Sequence, residues 1–386
     1  MKPYPAYKPT GLKWLPEVPR GWEMLRLRQM LKPFSEKGHP TAKLLSVVRE
    51  KGVIIRDTEN DEENHNFIPD DLSGYKFVRK GQFAMNKMKA WQGSYGVSDY
   101  EGIVSPAYFV FDLVADVLPR FFHIAIRSCF YVPFFARASD GIRVGQWDLS
   151  MPRMKEIPFF IPPPSEQKAI VDYLDAKTAK IDRLIKLKER EIELLQEKKQ
   201  VVISRAVKSD KKTIPVKYIV SIDNGSDPVT QGTTPVYGSG AESFKSCGEF
   251  KIGPAVLLGR KGATLHIPHY VEGKYWNVDT AFDAKPLGDR VDLRFFYYCA
   301  ICFDYRRFIS QTTLPSMTKS DYGRMRIPML AMPEQRKIAA YLDAETAKTD
   351  KVIAVMRRQI ELLREYRTRL ISDAVTGRID LRKEAC

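Results

Sequence analysis

The sequence has few cysteines and no long apolar run. Its five cysteines, at positions 129, 247, 299, 302 and 386, are odd in number and scattered, so they do not make a disulfide framework. No stretch of 18 apolar residues occurs, and the first 19 residues lack the apolar core of a signal peptide. We therefore expect a cytoplasmic protein without a membrane segment.

Catalytic motifs are missing as well. There is no Gly-x-x-x-x-Gly-Lys-Ser/Thr phosphate loop, which argues against ATP binding by this chain. Cys299 and Cys302 have the spacing of zinc ligands, but aromatic residues surround them and no second pair lies nearby, which favours buried thiols. His266 and His269 have an intervening proline and no accompanying carboxylate motif. We expect no catalytic set and no metal site.

Positive charge is what the sequence has in excess. Its 62 Lys and Arg outnumber 47 Asp and Glu, for a net charge of +15. Residues 166–208 carry +3 and residues 334–376 carry +2, so +10 lies on the rest of the chain. A basic surface suits the neutralisation of phosphates, but charge alone is equally typical of other basic proteins.

The chain contains an internal repeat. Residues 166–207 align without a gap to residues 334–375, and 22 of the 42 pairs are identical, among them Tyr-Leu-Asp-Ala and Ile-Glu-Leu-Leu. Two copies 168 residues apart are too few for a solenoid and indicate a duplicated unit of one globular domain and one helix.

Each copy is predicted to be one long helix, because it has no Pro or Gly beyond its first turn and its apolar residues recur at spacings of three and four. Ser165 is a candidate N-cap, and Pro333 opens the second copy. Since neither helix can bury its apolar stripe alone, the two are expected to pack as an antiparallel coiled coil. The predicted seam consists of Ile185, Ile192, Leu195 and Val202 with Ile353, Ile360, Leu363 and Leu370.

These motifs resemble the specificity subunit of a type I restriction–modification system. The resemblance rests on Pro-Pro-x-Glu-Gln-x-x-Ile-x-x-x-Leu-Asp at 163–175, on its second copy at 333–343, and on the opening Gly-Leu-Lys-Trp-Leu-Pro and Pro-Arg-Gly-Trp-Glu. It covers nearly the whole chain, in the right order, twice. The Asn/Asp-Pro-Pro-Tyr/Phe motif of the amino-methyltransferases that serve as partners in this family is absent, which favours a non-catalytic recognition subunit.

The resemblance implies an α+β fold with pseudo-twofold symmetry, in which two mixed α/β target-recognition domains are separated by two long helices. The expected segments are a first domain at 1–163, a helix at 164–210, a second domain at 211–331, and a second helix with its tail at 332–386. Double-stranded DNA, two methyltransferase subunits and restriction–translocase subunits are the implied partners. S-adenosylmethionine, ATP and Mg²⁺ would belong to those partners, and no cofactor to this chain.

Candidate DNA contacts are loops that combine amide, cationic and aromatic side chains with glycines. Asn and Gln suit adenine, whereas Lys and Arg suit guanine or phosphate. In the first domain the candidates are Asn86, Lys87, Lys89, Trp91, Gln92, Ser94, Tyr95, Arg143 and Gln146. In the second domain they are Tyr237, Ser239, Arg260, Lys261, Thr264, Gln311, Thr312 and Thr313.

For about half of these positions an ordinary turn or core residue explains the sequence equally well. Two other functions also stay open. A stand-alone sequence-specific DNA-binding protein would bind fully without a methyltransferase. An enzyme would need a carboxylate cluster on a globular domain, and none is evident in the sequence.

Overall fold

The structure, a computed structural model, describes residues 2–57, 68–141, 147–240, 242–310 and 314–382. The chain forms two compact units. Unit 1 comprises residues 1–186 and 359–386, and unit 2 comprises residues 187–358. Each unit therefore contains one globular domain and part of both long helices. Among the described residues, no helix is both long enough and apolar enough to span a bilayer.

The domain of unit 1 is mainly antiparallel β-structure with short helices. Its strands are β1 (Tyr7–Leu12), β2 (Leu15–Pro19), β3 (Glu23–Arg26), β4 (Leu31–Phe34), β5 (Leu45–Val48), β6 (Gly52–Ile55), β7 (Lys76–Val78), β8 (Phe83–Asn86), β9 (Tyr95–Val97), β10 (Gly102–Val104), β11 (Tyr108–Leu113), β12 (Ser139–Asp140), β13 (Asp148–Leu149) and β14 (Pro158–Ile161). Its helices are α1 (Leu27–Met30), α2 (Pro119–Ile126), α3 (Val132–Arg137) and α4 (Met151–Lys155).

The sheet of unit 1 that carries the candidate site has the order β4-β11-β8-β9, with every neighbouring pair antiparallel. Aromatic side chains fill the core beside it. Phe122 packs edge-on against Phe83, and Tyr131 stacks on Phe159. This aromatic core fixes α2 against the sheet and leaves the ends of the strands free to carry loops.

The domain of unit 2 repeats this plan. It begins after α5 (Pro164–Val207) and ends before α8 (Met332–Val375). Its strands are β15 (Thr213–Pro215), β16 (Val220–Asn224), β17 (Thr234–Tyr237), β18 (Ser243–Cys247), β19 (Lys251–Ile252), β20 (Ala255–Gly259), β21 (His269–Val271), β22 (Lys274–Asn277), β23 (Ala281–Pro286) and β24 (Arg326–Pro328). Its shorter helices are α6 (Leu293–Ile301) and α7 (Lys319–Arg324).

The antiparallel sheet β16-β23-β20-β21 in unit 2 corresponds to β4-β11-β8-β9 in unit 1. The strand registers match: Val110 lies between Phe34 and Ala84, and Ala284 lies between Ile222 and Val256. A second sheet, β18-β17-β22-β19, belongs to unit 2. Each domain therefore has its own central sheet of the same topology, although the sequences of the two domains differ.

The two long helices, each of 44 residues, run antiparallel. In unit 1, Asp182 of α5 forms an ion pair with Arg367 of α8, with 2.9 Å between Oδ1 and Nε. In unit 2, Lys199 of α5 lies 2.7 Å from Asp350 of α8. The second pair is the repeat equivalent of the first, because Asp182 corresponds to Asp350 and Lys199 to Arg367.

Most of the predicted seam is buried, namely Ile185, Ile192, Ile353, Ile360 and Leu370. Leu195, Val202 and Leu363 are partly exposed. Near the end of α5, Ile203 is the residue that is buried instead of Val202, because it joins the core of the second domain. The α+β fold with two mixed domains, two long helices and an antiparallel coiled coil is confirmed.

Candidate nucleic-acid interface

The first candidate loop of unit 1 follows directly after β8. Asn86 ends the strand. Its Nδ2 donates to the hydroxyl of Tyr108 at 3.3 Å, and its Oδ1 accepts from the backbone N–H of Met88 at 3.1 Å. The Asn86 side chain therefore shapes the loop, and its amide already has two partners. Lys89 is exposed at the loop, and Gln92 is half-buried at the end of the short turn Ala90–Gln92.

Two segments that are distant in sequence meet at this loop. The rings of Trp91 and Trp147 lie 5.0 Å apart, and Lys87 forms a 2.9 Å ion pair with Asp148. The backbone N–H of Leu149 also donates to the carbonyl of Lys87. The loop after β8 and the segment beginning at Trp147 therefore form one surface. Trp147 ends the candidate segment 141–147, in which the sequence interpretation singled out only Arg143 and Gln146.

Positive charge is concentrated beside this surface. Burial, together with the neighbouring Lys37 and Lys87, lowers the pKa of Lys76. The Nζ of Lys76 donates to the carbonyl of Tyr108, which lies opposite Asn86 in the sheet. Lys37 and Lys87 are therefore each close enough to repel Lys76.

Ser94 and Tyr95 are not at the surface, which corrects the sequence interpretation. Their exposed fractions are 2 % and 0 %. Tyr95 lies in β9 and packs against Phe135 with 4.2 Å between ring centroids, because β9 is paired with β8 and turns that side chain into the aromatic core. Neither side chain can reach a groove of DNA from this position.

Five candidates lie outside the described residues. They are Arg143 and Gln146 in the first domain and Gln311, Thr312 and Thr313 in the second.

In unit 2 the corresponding loop follows β20. It carries Arg260, Lys261 and Thr264. Arg260 lies over the ring of Phe282 at 5.9 Å and donates to the carbonyl of Asp279 at 3.3 Å, so its guanidinium is held at the end of the strand. Gly262 has a φ of +109°, a conformation that residues with a side chain rarely adopt. The glycine therefore permits the turn that presents the two cations.

Three segments predicted separately are brought together here. The hydroxyl oxygens of Ser239 and Thr264 lie 3.4 Å apart, which joins the loop after β17 to the loop after β20. The backbone N–H of Gly262 donates to the carbonyl of Pro315. The backbones of Lys261 and Ser316 form an isolated antiparallel β-bridge. Tyr237 is half-buried, and its ring lies 5.1 Å from that of His269.

Sequence reasoning missed two residues of β18. Phe244 is exposed, and Lys245 holds its Nζ 5.4 Å from the Phe244 ring. They belong to the strand that pairs with β17, where Tyr237 lies opposite Ser243. The run Ser-Phe-Lys-Ser carries no motif, so only the pairing of the strands reveals this exposed aromatic and cation beside the site.

The two loops occupy the same place in their domains. β8 and β20 are matched strands of the two equivalent sheets, and each loop leaves the same end of its strand. Each combines at least one cation with aromatic or hydroxyl side chains. Such side chains suit contacts to phosphates and to base edges.

No group of three or more His, Cys, Asp or Glu side chains in the described part of the chain is placed to hold a metal ion. Burial raises the pKa of the Cys302 thiol to about 11, and burial with the nearby Cys302 raises that of Cys299 further. Both thiols therefore stay protonated at neutral pH, whereas metal ligation and redox exchange need the thiolate.

Comparison with known proteins agrees with this geometry. Residues 19–195 match the family model of the type I restriction modification DNA specificity domain. A search of curated proteins gave no match. One solved structure, from work on complex assembly and conformational transition of the type I R-M system, has a similar fold. Its TM-score is 0.75 at 15% identity, over 94% of this chain and 99% of that chain.

The HsdS subunit from Thermoanaerobacter tengcongensis is also similar, with a TM-score of 0.53 at 16% identity, over 94% of this chain and 98% of that one. At these identities the structures show a common fold. The family match lies on the first domain and α5, and the repeat carries the same helix into the second half. Residues 19–195 are thus similar to the type I restriction modification DNA specificity domain, and 94% of the chain is similar in fold to each of the two solved structures.

Proposed function

We propose that each domain reads one half of a bipartite DNA site. The observation that carries the proposal is that the loops after β8 and after β20 leave equivalent ends of equivalent sheets, yet carry different side chains. An equivalent position suits equivalent placement on two half-sites, and different side chains suit different bases. Lys89 and Lys261 are the cations that we place nearest the DNA.

The experiment is to co-express the chain with its methyltransferase and to map methylated bases across the host DNA. We expect a split motif of two short half-sites with a fixed gap. Exchanging Asn86–Gln92 for the matching loop of another specificity subunit should change only one half-site, and exchanging Arg260–Thr264 only the other. Methylation that does not depend on this chain would overturn the proposal and favour a stand-alone DNA-binding protein.

We further infer that the long helices set the gap between the half-sites. A helix rises about 1.5 Å per residue, so seven added residues lengthen it by roughly 10 Å, or about three base pairs. Insertion of one heptad into both helices would keep the seam in register. The methylation map should then show a gap about three base pairs longer with unchanged half-sites.

The outer faces of the helices are the proposed surface for methyltransferase subunits. In unit 2, Leu187, Leu194 and Val201 recur every seven residues and are exposed, so they form one apolar stripe outside the seam. Leu362 of unit 1 is the repeat equivalent of Leu194 and is exposed too. Exposed apolar residues of this kind indicate a protein partner, and the equivalent positions of Leu194 and Leu362 suit two copies.

A charge on the stripe tests this docking. Leu194→Asp should abolish co-purification of one methyltransferase copy, and Leu362→Asp that of the other, whereas Lys186→Asp at an exposed site should have no effect. By the same proposal, S-adenosylmethionine is bound by the methyltransferase, and ATP and Mg²⁺ by restriction–translocase subunits. Retention of both methyltransferase copies by the leucine variants would contradict the assignment.

A further inference from the structure

Unit 1 contains a cleft of about 280 Å³, and none of the candidate DNA-contacting residues lines it. It lies among the β5–β6 turn, α2, α5 and α8. The volume is near the lower limit of small-molecule sites, which begin at about 300 Å³. Its charged lining is mostly basic, with the arginines Arg49, Arg120, Arg127 and Arg367 against the acids Glu50 and Asp175.

Two of these arginines have carboxylate partners. Arg120 donates to both oxygens of Asp175, at 2.6 and 3.2 Å. Arg367 pairs with Asp182 at 2.9 Å. Both are therefore explained by the packing of the domain and the helices, and neither requires a ligand.

Arg127 is different, because its hydrogen bonds go to neutral acceptors. Its Nη2 donates to the carbonyl of Arg49 at 2.8 Å, and its Nη1 lies 3.1 Å from Nε2 of His123. Burial, then Arg127 and Arg120, lower the pKa of His123 to about 4, so this imidazole is neutral at pH 7 and accepts the bond. Within the described residues, the Nε of Arg127 is buried without a partner.

Ser128 adds a second unmatched group. Only 5 % of this residue is exposed, yet it lines the cleft, and its Oγ has no partner among the described residues. A buried guanidinium N–H without a partner and a buried hydroxyl without a partner each cost stability. An oxyanion in the cleft would satisfy both groups at once.

Unit 2 shows that the shared scaffold does not need these polar groups. Arg294 pairs with Asp343 as Arg120 pairs with Asp175, so α6 matches α2. With this alignment, Ile301 occupies the position of Arg127. Cys302 occupies the position of Ser128. Ile301 and Cys302 pack against the apolar core of the second domain. The basic cleft is thus particular to the first half.

We propose that this cleft binds a phosphate group, held by the guanidinium of Arg127 and the hydroxyl of Ser128, with Arg49 at its rim. Guanidinium groups present parallel N–H donors that match the oxygens of phosphate, and such charge-assisted bonds are the strong ones. The phosphate comes either from a free phosphorylated small molecule or from the backbone of DNA. The proposal is independent of base recognition by the loops.

The test is a titration of the purified full-length chain with inorganic phosphate and with pyrophosphate in chloride buffer, followed by calorimetry. We expect saturable binding at one site per chain. R127I/S128C installs the residues of unit 2 and should weaken binding by about tenfold to a hundredfold. R127K keeps the positive charge but loses the parallel N–H donors of the guanidinium group, so it should weaken phosphate binding less. This variant tests the site if R127I/S128C does not fold. R306A, at an exposed arginine of unit 2, is the matched control and should bind as the unaltered chain does.

A short nonspecific duplex separates the two sources. If the phosphate belongs to DNA, the duplex competes with inorganic phosphate, and R127I/S128C, which removes the charge, reduces the slope of log K against log salt by about one. If it belongs to a small molecule, phosphate binding weakens in R127I/S128C while duplex affinity and its salt slope stay unchanged. Either result supports the site. Binding that does not saturate, or that has equal affinity in R127K, R127I/S128C and R306A, would overturn it.

Discussion

The two halves of the molecule join their domains to the long helices in the same way. Gln167 and Gln335, in the first turns of α5 and α8, are 1 % and 2 % exposed. The Oε1 of Gln167 accepts from the N–H of Leu118 at 2.6 Å, and its Nε2 donates to the carbonyls of Asp116 and Pro162. Gln335 makes the equivalent three bonds to Asp292, Arg290 and Leu330.

The residue just before each glutamine shows how the halves diverge. Glu166 is buried and accepts from the Nε1 of Trp22 at 2.7 Å and from the hydroxyl of Tyr4, whose pKa is raised by burial and by Glu166. Glu334 is partly exposed and pairs with Lys211 at 2.5 Å. The same Glu-Gln pair thus serves a buried aromatic contact in one half and a surface ion pair in the other. The hydrogen bonds of the glutamine are therefore the same in both halves, whereas the partners of the neighbouring glutamate differ.

The largest expected effect tests whether Gln167 and Gln335 stabilise their halves equally. Gln167→Leu and Gln335→Leu each leave three backbone groups without a partner, one in a buried and two in part-buried hydrogen bonds, so each should lower the free energy of unfolding by about 3 kcal/mol. Denaturant unfolding of each variant measures the loss. Gln200→Leu, which removes a single 3.3 Å bond at an exposed site, is the control and should cost less than about 0.5 kcal/mol. A large loss in one half alone would break the equivalence.

A smaller effect should separate the halves. Glu166→Ala leaves the indole N–H of Trp22 and the hydroxyl of Tyr4 without their acceptor, and we expect a loss of about 2 kcal/mol. Glu334→Ala removes only a partly exposed ion pair and should cost less than about 1 kcal/mol. The measurement is again denaturant unfolding. Equal losses would show that the burial of Glu166 does not strengthen its contacts.

The smallest effect concerns the two ion pairs between the helices. Asp182→Asn and Asp350→Asn each remove one pair near the surface, so each should cost about 0.5 kcal/mol at low salt and less at high salt. Double-mutant cycles with Arg367→Met and Lys199→Met measure the coupling. Couplings that differ by more than about 1 kcal/mol would show that the two equivalent ion pairs do not contribute equally.

Much of the fold could be predicted from local patterns. The repeat and the absence of helix breakers predicted both long helices, which begin at Pro164 and Met332. β5 and β6 are likewise short runs rich in apolar residues. These features depend on residues close in sequence, so one sequence suffices to find them.

The candidate site was less predictable, because it depends on which side chains the sheet turns outward. Ser94 and Tyr95 stand in the same glycine-rich loop as Lys89, and only the pairing of β9 with β8 buries them. Trp147 meets Trp91 across more than fifty residues of sequence. Whether the remaining candidates contact DNA stays a prediction.

The sequence by itself determined the duplication, the two helices, their seam and the excess of positive charge, since each of these is a matter of composition or of a period along the chain. The tertiary structure alone decided that the loops after β8 and β20 occupy equivalent positions, and that Arg127 and Ser128 line a cleft where unit 2 has apolar side chains. The physical reason is that the burial of a side chain and its hydrogen-bond partners depend on residues far apart in sequence. Only the packed fold brings these residues within contact distance.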